Sequence, residues 1–296
     1  MLKRRQASAL SDLTRTARLD HDEEKLFGFF RAFRGYLMKV GLALSGGGAR
    51  GFAHVGVLKA LVGSGIPIDV IAGTSAGSIV GGAFAAGMSV DEIVAMSRRV
   101  GWLNFTRPSF SPLAFLSNAP MGTFLRRELP VTRFEDLKLP FAAVAYDLTE
   151  NKERVFRDRG DLVLAIRASC AVPGVFAPVR DEAGHILVDG GVSTVLPVHA
   201  VKELGADIVI AVDLLSSGEE FRSQPRSAFT VIMRSTMALL RHTASEQRST
   251  ADLVIEPQIA HIRPDQIKKR EELLRLGEEA AREKIPEIKA LINRGG

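Results

Sequence analysis

A short apolar run that ends in three consecutive glycines and continues into a helix-like pattern constrains the fold most strongly. In GLALSGGGARGFAHVGVLKAL, residues 41–61, the run ends at Leu44, three glycines follow at 46–48, and apolar residues then recur at helical spacing. A buried strand, a tight glycine loop and a helix begin a β-α unit. The sequence therefore predicts an α/β domain with a glycine loop at a helix N-terminus, where backbone N–H groups bind negative charge.

The same alternation of apolar strands and helices continues to the end of the chain. Strand-like runs are predicted at 40–44, 70–72, 141–147, 186–188, 208–212 and 253–255. Helix-like patterns are predicted at 51–64, 75–86, 90–100, 161–168, 197–204, 229–246 and 266–294. This order predicts a largely parallel sheet covered by helices on both faces. Residues 106–122 hold three prolines and little periodicity, so we expect a long surface loop bordering the substrate site.

Composition excludes several classes of protein. The 296 residues are 46% hydrophobic and 25% charged, which is typical of a globular chain. The net charge of +5 favours anionic partners, but no arginine-rich helix or RNA-type motif supports a nucleic-acid partner. A single cysteine, Cys170, excludes an intramolecular disulfide and fits a reducing compartment. Without a secretory signal or a membrane-spanning apolar stretch, we expect a cytoplasmic protein, with peripheral contact at the inner membrane face left open.

The chain is predicted to consist of three parts: residues 1–38, a core at 39–215, and a mainly helical extension at 216–296 packed on that core. Residues 25–39 place phenylalanines and leucines at helical spacing, with arginines off that stripe. Two interpretations stay open: the stripe packs on this chain or on a second subunit, or it lies in a membrane interface. Oligomerisation is left open as well.

The glycine loop also matches the G-x-G-x-x-G pattern of dinucleotide sites through Gly46, Gly48 and Gly51. Such a site needs an acidic residue at the C-terminal end of the second strand to hold the ribose. Asp69 has suitable spacing, but it precedes the second apolar run and so stands at the entry of that strand. No Lys-Ser or Lys-Thr pair closes the loop, which argues against a P-loop. A nucleotide site is therefore disfavoured.

The second predicted strand leads into GTSAG, residues 73–77, which matches the G-x-S-x-G nucleophile elbow. Gly73 and Gly77 are small enough to let the chain reverse, so that Ser75 projects above the sheet edge from a strained turn. The competing interpretation is a tight strand-to-helix turn without chemistry. If the first two strands are neighbours, the glycine loop faces Ser75, and its N–H groups form an oxyanion hole for charge developing on an attacked carbonyl.

A serine nucleophile needs a base, and the strongest candidate is Asp189 in HILVDGGVSTVLPV. It ends an apolar run and precedes Gly190 and Gly191, so its carboxylate would stand at a strand end and take the serine proton directly. An Asp-Gly hairpin turn is the competing interpretation. A conventional Ser-Asp-His triad would instead need a histidine downstream of its acid, for example His199 or His242.

GGGARG, GTSAG and DGG stand in this order, and together they resemble the patatin-like phospholipase family, particularly its small bacterial members. RASCAVPGVFAPV, residues 167–179, adds to the resemblance, which covers roughly residues 39–215. Cys170 stands where similar proteins often carry a serine or alanine, and we expect this departure to leave the chemistry untouched. The resemblance implies a three-layer α/β/α sandwich with a mixed, largely parallel central sheet.

The resemblance also implies a serine lipid acyl-hydrolase of the phospholipase A or lysophospholipase type, without histidine, cofactor or metal. By motif position, Ser75 is the nucleophile that forms an acyl-enzyme, and Asp189 is the base that later activates water. The implied oxyanion loop comprises Gly46, Gly47, Gly48, Ala49 and Arg50. The other motif glycines are Gly51, Gly73, Gly77, Gly190 and Gly191. Arg50 either meets a substrate phosphate or is a helix-surface arginine without such a role.

Two further functions stay open beside a hydrolase of lipids or other acyl esters. An acyltransferase on the same fold would pass the acyl group to an alcohol rather than to water, through the same acyl-enzyme. A regulatory protein would retain the fold without catalysis, although the intact serine, aspartate and glycines argue against it.

Overall fold

The computed structural model describes residues 38–109, 113–216, 224 and 228–294. Lys39–Ile292 form one compact unit. The aromatic stripe predicted at residues 25–39 lies outside the described residues except for its last two positions, so its role stays a prediction.

The described residues contain eleven strands and nine α-helices. The strands are β1 (Val40–Leu44), β2 (Val70–Thr74), β3 (Arg107–Pro108), β4 (Ala114–Ser117), β5 (Phe141–Asp147), β6 (Lys152–Phe156), β7 (Gly174–Phe176), β8 (Val179–Arg180), β9 (Ile186–Asp189), β10 (Ile208–Val212) and β11 (Leu253–Ile255). The helices are α1 (Phe52–Gly63), α2 (Ala76–Ala85), α3 (Val90–Arg99), α4 (Trp102–Phe105), α5 (Ala119–Glu128), α6 (Leu162–Ser169), α7 (Val198–Glu203), α8 (Ala228–Arg248) and α9 (Arg270–Arg294).

The main sheet is mixed and largely parallel, as the resemblance implies. Its order is β11-β10-β1-β2-β5-β9-β8, and β6 pairs with β5. Neighbouring strands from β11 to β5 are parallel, whereas β6, β8 and β9 are antiparallel to their partners. The predicted sheet and its six strands are therefore confirmed, and β6 and β8 are additions to it.

Alternate residues of the central strands are buried in two separate apolar clusters, one on each face of the sheet. In β1, Leu42 and Leu44 belong to the cluster that contains α1, α2 and α9, whereas Ala43 belongs to the cluster that contains α7. Because side chains alternate along a strand, this division requires helices on both faces. The three-layer prediction is confirmed.

The strand β5 holds the ends of two other strands together. It pairs with β2 over residues 141–144, with β9 over 145–147, and with β6 over 143–147. A strand has two hydrogen-bonding edges, and the register of β6 overlaps both others, so β2 and β9 share the opposite edge end to end. Thr74 pairs with Val144 and Asp189 with Ala145. The C-terminal ends of β2 and β9 therefore meet at consecutive residues of β5.

The prediction of a long loop at residues 106–122 is wrong. A second sheet, in the order β3-β4-β7, and the start of α5 occupy this segment of the described chain. These strands have only two to four residues, too few for a periodic signal, and Pro120 stands in the first turn of α5, where the helix tolerates proline.

The described residues from 228 to Ile292 belong to the compact unit Lys39–Ile292. β11 extends the parallel sheet beside β10, and α9 packs closely on α1. A Cβ at Gly56 would lie 1.9 Å from Leu274 O, and one at Gly277 would lie 2.0 Å from Ala53 O. Glycines thus let these two helix backbones approach each other. Within the described ranges, no helix combines the length and apolar character needed to cross a membrane.

Replacing Gly77 with alanine tests how tightly α2 packs on β1. A Cβ at this position would lie 2.2 Å from Leu44 O, so the helix must shift. We expect the free energy of unfolding to fall by at least about 2 kcal/mol. Gly63→Ala at the end of α1 is the matched control, because nothing lies within 4 Å of its Cβ. It should raise stability by up to about 1 kcal/mol. Equal effects of both variants in urea denaturation would contradict this packing.

Candidate active site

Ser75 occupies the strained turn between β2 and α2. Its φ of 52° lies in the left-handed region, which costs a non-glycine residue conformational free energy. Gly73 and Gly77 let the turn close, because a Cβ at Gly73 would lie 2.4 Å from Gly77 O. The Ser75 hydroxyl makes no capping hydrogen bond to α2, although the residue is the N-cap. The Ser75 hydroxyl is therefore not engaged in capping its own helix.

A second serine holds the Ser75 backbone in place. The N–H of Ser75 donates to Ser169 Oγ at 2.8 Å, and the Ser169 hydroxyl donates to Val144 O at 2.5 Å. The Ser78 hydroxyl donates to Ser75 O at 2.6 Å. Ser169 is fully buried at the end of α6. Ser169 lies in the RASC segment, but the sequence analysis does not include it among the predicted site residues. Its partners are residues 75 and 144, and contacts over such distances in sequence produce no periodic pattern.

Asp189 ends β9 and enters a 3-10 helix at Gly190–Val192, so the alternative of a hairpin turn is wrong. Its Oδ1 accepts the Gly191 N–H at 2.8 Å, and its own N–H donates to Ala171 O. Oδ2 is buried and has no hydrogen-bond partner among the described residues. A Cβ at Gly190 would lie 2.2 Å from Val144 O, which explains the need for glycine after the aspartate. One carboxylate oxygen is thus fixed and the other is available.

Burial raises the pKa of Asp189 from 3.8 to about 6, while the Ser75 hydroxyl and the Gly191 N–H act in the opposite direction. Ser75 is therefore near enough to stabilise the carboxylate, although no hydrogen bond of normal geometry joins the two described side chains. At neutral pH the carboxylate is mainly ionised, yet it has a much higher proton affinity than an exposed aspartate. Such a group can accept a proton from a neighbouring hydroxyl.

The glycine loop lies beside Ser75, since a Cβ at Gly46 would lie 3.4 Å from Ser75 Cβ. Three of the five predicted oxyanion N–H groups already have acceptors. Gly46 donates to Val195 O at 3.0 Å, Ala49 to Pro264 O at 2.7 Å, and Arg50 to Gly47 O at 3.2 Å. Gly47 and Gly48 make no N–H hydrogen bond within the described part of the chain. Of the five predicted oxyanion donors, the N–H groups of Gly47 and Gly48 are therefore the two that are available.

The sequence model of the family described as Patatin-like phospholipase matches residues 42–202, more than half of the chain. The chain belongs to this family.

Among its patatin-like relatives, an uncharacterised NTE family protein of Mycobacterium tuberculosis is 41% identical over 182 residues, 60% of this chain and 50% of the relative. Patatin-like phospholipase domain-containing protein 6 of Homo sapiens is 35% identical over 189 residues, 61% of this chain and 14% of the relative. The crystal structure of VipD from Legionella pneumophila shares the fold, with a TM-score of 0.50 at 13% identity over 87% of this chain and 67% of VipD. The chain thus spans half the length of the mycobacterial relative.

Arg50 of this patatin-like chain is buried, so the interpretation as a helix-surface arginine is wrong. Its guanidinium donates to three backbone carbonyls: Nε to Ile262 O at 2.6 Å, Nη1 to Leu214 O at 3.4 Å and Nη2 to Ala260 O at 3.4 Å. A buried guanidinium engaged in this way holds the glycine loop against the C-terminal part of the chain. This role replaces the expected contact with a substrate phosphate.

Cys170 was expected to leave the patatin-like chemistry untouched, but it borders the site. Its Sγ lies 3.9 Å from Ser78 Oγ. Burial and the charge of Asp189 raise the pKa of the Cys170 thiol far above its usual value, and the Ser75 hydroxyl partly opposes this. The thiol is therefore protonated and presents a small, neutral group beside the serine and the aspartate.

None of the five described histidines hydrogen-bonds to Ser75 or Asp189. His199 Nε2 lies 2.8 Å from Glu153 Oε1. His242 and His261 each lie beside a glutamate as well. His185 pairs with Asp147. Burial lowers the pKa of His54 to about 4, so its neutral ring donates from Nε2 to the carbonyl before Gly46. Within these ranges no group of three or more His, Cys, Asp or Glu is arranged to hold a metal.

The raised pKa of Asp189 predicts a pH-dependent gain in stability for Asp189→Asn. The folded state retains the Asp189 proton up to about pH 6, whereas the unfolded state releases it near 3.8. Wild-type stability therefore falls as pH rises through this interval, by about 3 kcal/mol in total. Asparagine cannot ionise, so the variant should be more stable than wild type by about 1–3 kcal/mol at pH 8.

The gain should vanish towards pH 4, where wild-type Asp189 is protonated in the folded state. Urea denaturation at the two pH values measures it. Asp252→Asn is a useful comparison, because the carboxylate of Asp252 accepts a hydrogen bond from Val209 N–H at the strand edge. A pH-independent difference between wild type and Asp189→Asn would contradict burial of the Asp189 charge.

Proposed function

We propose that this patatin-like chain is a serine acyl-hydrolase that cleaves lipid esters, with Ser75 as nucleophile and Asp189 as base. The observation that carries the proposal is the meeting of two strand ends on β5, with a strained serine on one and a buried aspartate on the other. None of the described histidines contacts Ser75 or Asp189, and this favours a dyad over a triad.

In the first half of the reaction, Ser75 Oγ attacks the carbonyl carbon of the ester. Asp189 Oδ2 accepts the hydroxyl proton, because it is the carboxylate oxygen without another partner. The carbonyl π electrons move onto its oxygen, and the N–H groups of Gly47 and Gly48 are the donors available to stabilise that charge. Collapse of the intermediate breaks the bond to the alcohol, which takes the proton from Asp189 and leaves an acyl-enzyme.

In the second half, Asp189 accepts a proton from water as the water oxygen attacks the acyl carbon. The acyl–Oγ bond then breaks, Ser75 recovers its proton from Asp189, and a fatty acid leaves. The fixed Oδ1, bonded to Gly191 N–H, keeps the carboxylate oriented in both halves. An alcohol in place of this water would give acyl transfer by the same steps.

The proposal of a lipid substrate draws on family membership and on the name of the human relative, a phospholipase domain-containing protein. This chain spans only 14% of that relative, so the substrate is proposed for the domain and not carried over from the whole protein. Incubating wild type and Ser75→Ala with a total lipid extract, and comparing the lipids consumed with the fatty acids released, would identify the ester that is cleaved.

Ser75→Ala and Asp189→Asn should each lower kcat/KM on short p-nitrophenyl esters by at least about 10³-fold, with circular dichroism unchanged. His185→Ala and His199→Ala are the matched controls, and we expect their activity to stay within about threefold of wild type. Full activity of Ser75→Ala would refute the nucleophile. Loss of activity in a histidine variant with intact folding would favour a triad.

Ser169→Ala tests whether the buried hydroxyl positions Ser75. The substitution leaves Ser75 N–H and Val144 O without their partner. We expect kcat to fall by about 10- to 100-fold with little change in KM, because the nucleophile is misplaced by a loosened turn. Ser97→Ala is the control, since Ser97 is also buried and its hydroxyl donates to Val94 O, on α3. Stability loss in both variants with unchanged kcat in Ser169→Ala would show a purely structural role.

A further inference from the structure

Three large apolar side chains are exposed on one short part of the chain, at and near the small sheet β3-β4-β7. Leu103 on α4 is 92% exposed, Leu113 is 57% exposed and Phe115 on β4 is 69% exposed. Leu113 lies in the turn immediately before β4, two residues from Phe115 on that strand. Single exposed apolar residues are common, whereas three large ones within thirteen residues are a candidate interaction surface. We call these residues, with Arg107 and Arg127, the 103–127 surface.

The same segment is positively charged. Residues 101–127 contain three arginines and no aspartate or glutamate. Arg107 is exposed and forms no ion pair with any described residue. Arg127 shares Glu128 with Arg99, so this cluster of two guanidiniums and one carboxylate retains one positive charge. The surface therefore combines apolar side chains with an excess of cationic groups, which complements an anionic lipid surface.

A cavity of about 420 Å³ opens between these elements. Arg107 and Arg127 line it together with Asn104 and Thr123, and Phe124 forms part of its wall. The volume accommodates a phosphate-bearing headgroup, and the two guanidiniums are suited to phosphate oxygens. The cavity thus supplies a polar site on the same segment of the chain as the exposed apolar side chains.

The 103–127 surface is connected to the candidate active site by short links. Ala171 O accepts the Asp189 N–H, and β7, which pairs with β4, begins three residues later at Gly174. Three extended residues span at most about 11 Å. At the other end of β4, Asn118 Nδ2 donates to Arg167 O, two residues before Ser169. A lipid surface that contacts β4 would therefore lie close to Ser75 and Asp189.

We propose that the 103–127 surface docks the protein on membranes containing anionic phospholipids. Leu103 and Phe115 enter the interface, and Arg107 and Arg127 bind headgroup phosphates. The proposal rests on the proposed function, because a lipid hydrolase must draw its substrate from such a surface. It assigns membrane contact to residues distant in sequence from the aromatic stripe at 25–39.

Cosedimentation of the full chain with vesicles tests the proposal, using the Ser75→Ala background so that binding is measured without turnover. Combining Leu103→Ser with Phe115→Ser should weaken binding to phosphatidylcholine–phosphatidylglycerol vesicles by at least about tenfold. Arg107→Gln should weaken it by about fivefold, and this effect should shrink on pure phosphatidylcholine and at high salt.

The matched controls are exposed residues that are not part of the 103–127 surface. Val62 is exposed at the end of α1, and Arg159 is exposed in the turn after β6. Val62→Ser and Arg159→Gln should bind vesicles as the parent does. With Ser75 intact, the surface variants should hydrolyse a soluble ester within about twofold of wild type.

Unchanged vesicle binding of the double variant would overturn the proposal, as would a change in oligomeric state by light scattering, which would assign the surface to a second copy of the chain. Failure of hydrolysis in wild type would refute the proposed function and leave the vesicle result standing.

Discussion

The whole candidate site depends on one edge of β5, which two strands of opposite direction share end to end. β2 runs up this edge to Thr74 opposite Val144, and β9 runs down it to Asp189 opposite Ala145. Neither strand can extend further, because each blocks the other, so both chains must turn out of the sheet at this point. The turn after β2 carries Ser75 and the turn after β9 begins with Asp189. Two residues more than a hundred positions apart in the sequence are brought together by backbone hydrogen bonds alone, before any contact between their side chains is considered.

This arrangement costs stability, and the neighbouring residues offset part of the cost. Ser75 has a left-handed backbone, and Asp189 is a buried carboxyl whose pKa is raised to about 6. When β2 turns away, Val144 O is left facing the gap, and the Ser169 hydroxyl satisfies it while accepting the Ser75 N–H. Gly190 allows the chain after Asp189 to pass over the same carbonyl. A single backbone oxygen on β5 thus organises the serine, its supporting hydroxyl and the glycine that follows the aspartate.

The sequence predicts the elements that have a periodic pattern or a recognisable motif. It misses very short strands and contacts between residues far apart in the chain. The buried strands and long helices have the periodicity of their elements, and the elbow motif needs only five residues to specify a strand-turn-helix. Short strands such as β3 and β8 leave no such signal. The burial of Arg50 could not be predicted either, since an arginine at the start of a helix is usually exposed, and its three carbonyl partners lie at residues 214, 260 and 262. Likewise, which loop N–H groups have acceptors depends on Val195 and Pro264, far along the chain.

These partners show that the candidate site extends beyond the part of the chain that defines the family. The family match ends at residue 202, yet the glycine loop is fixed from outside it. Arg50 donates to Ile262 O, Ala49 N–H to Pro264 O, and a Cβ at Gly48 would lie 2.7 Å from Pro264 O. Gly48 has a φ of +58°, a conformation that the contact with Pro264 helps to hold. Gly48, whose N–H has no acceptor among the described residues, is therefore held in place by the segment between β11 and α9. Residues after 215 therefore belong to the framework of the candidate site together with the motifs, because they fix Gly48, Ala49 and Arg50 of the donor loop.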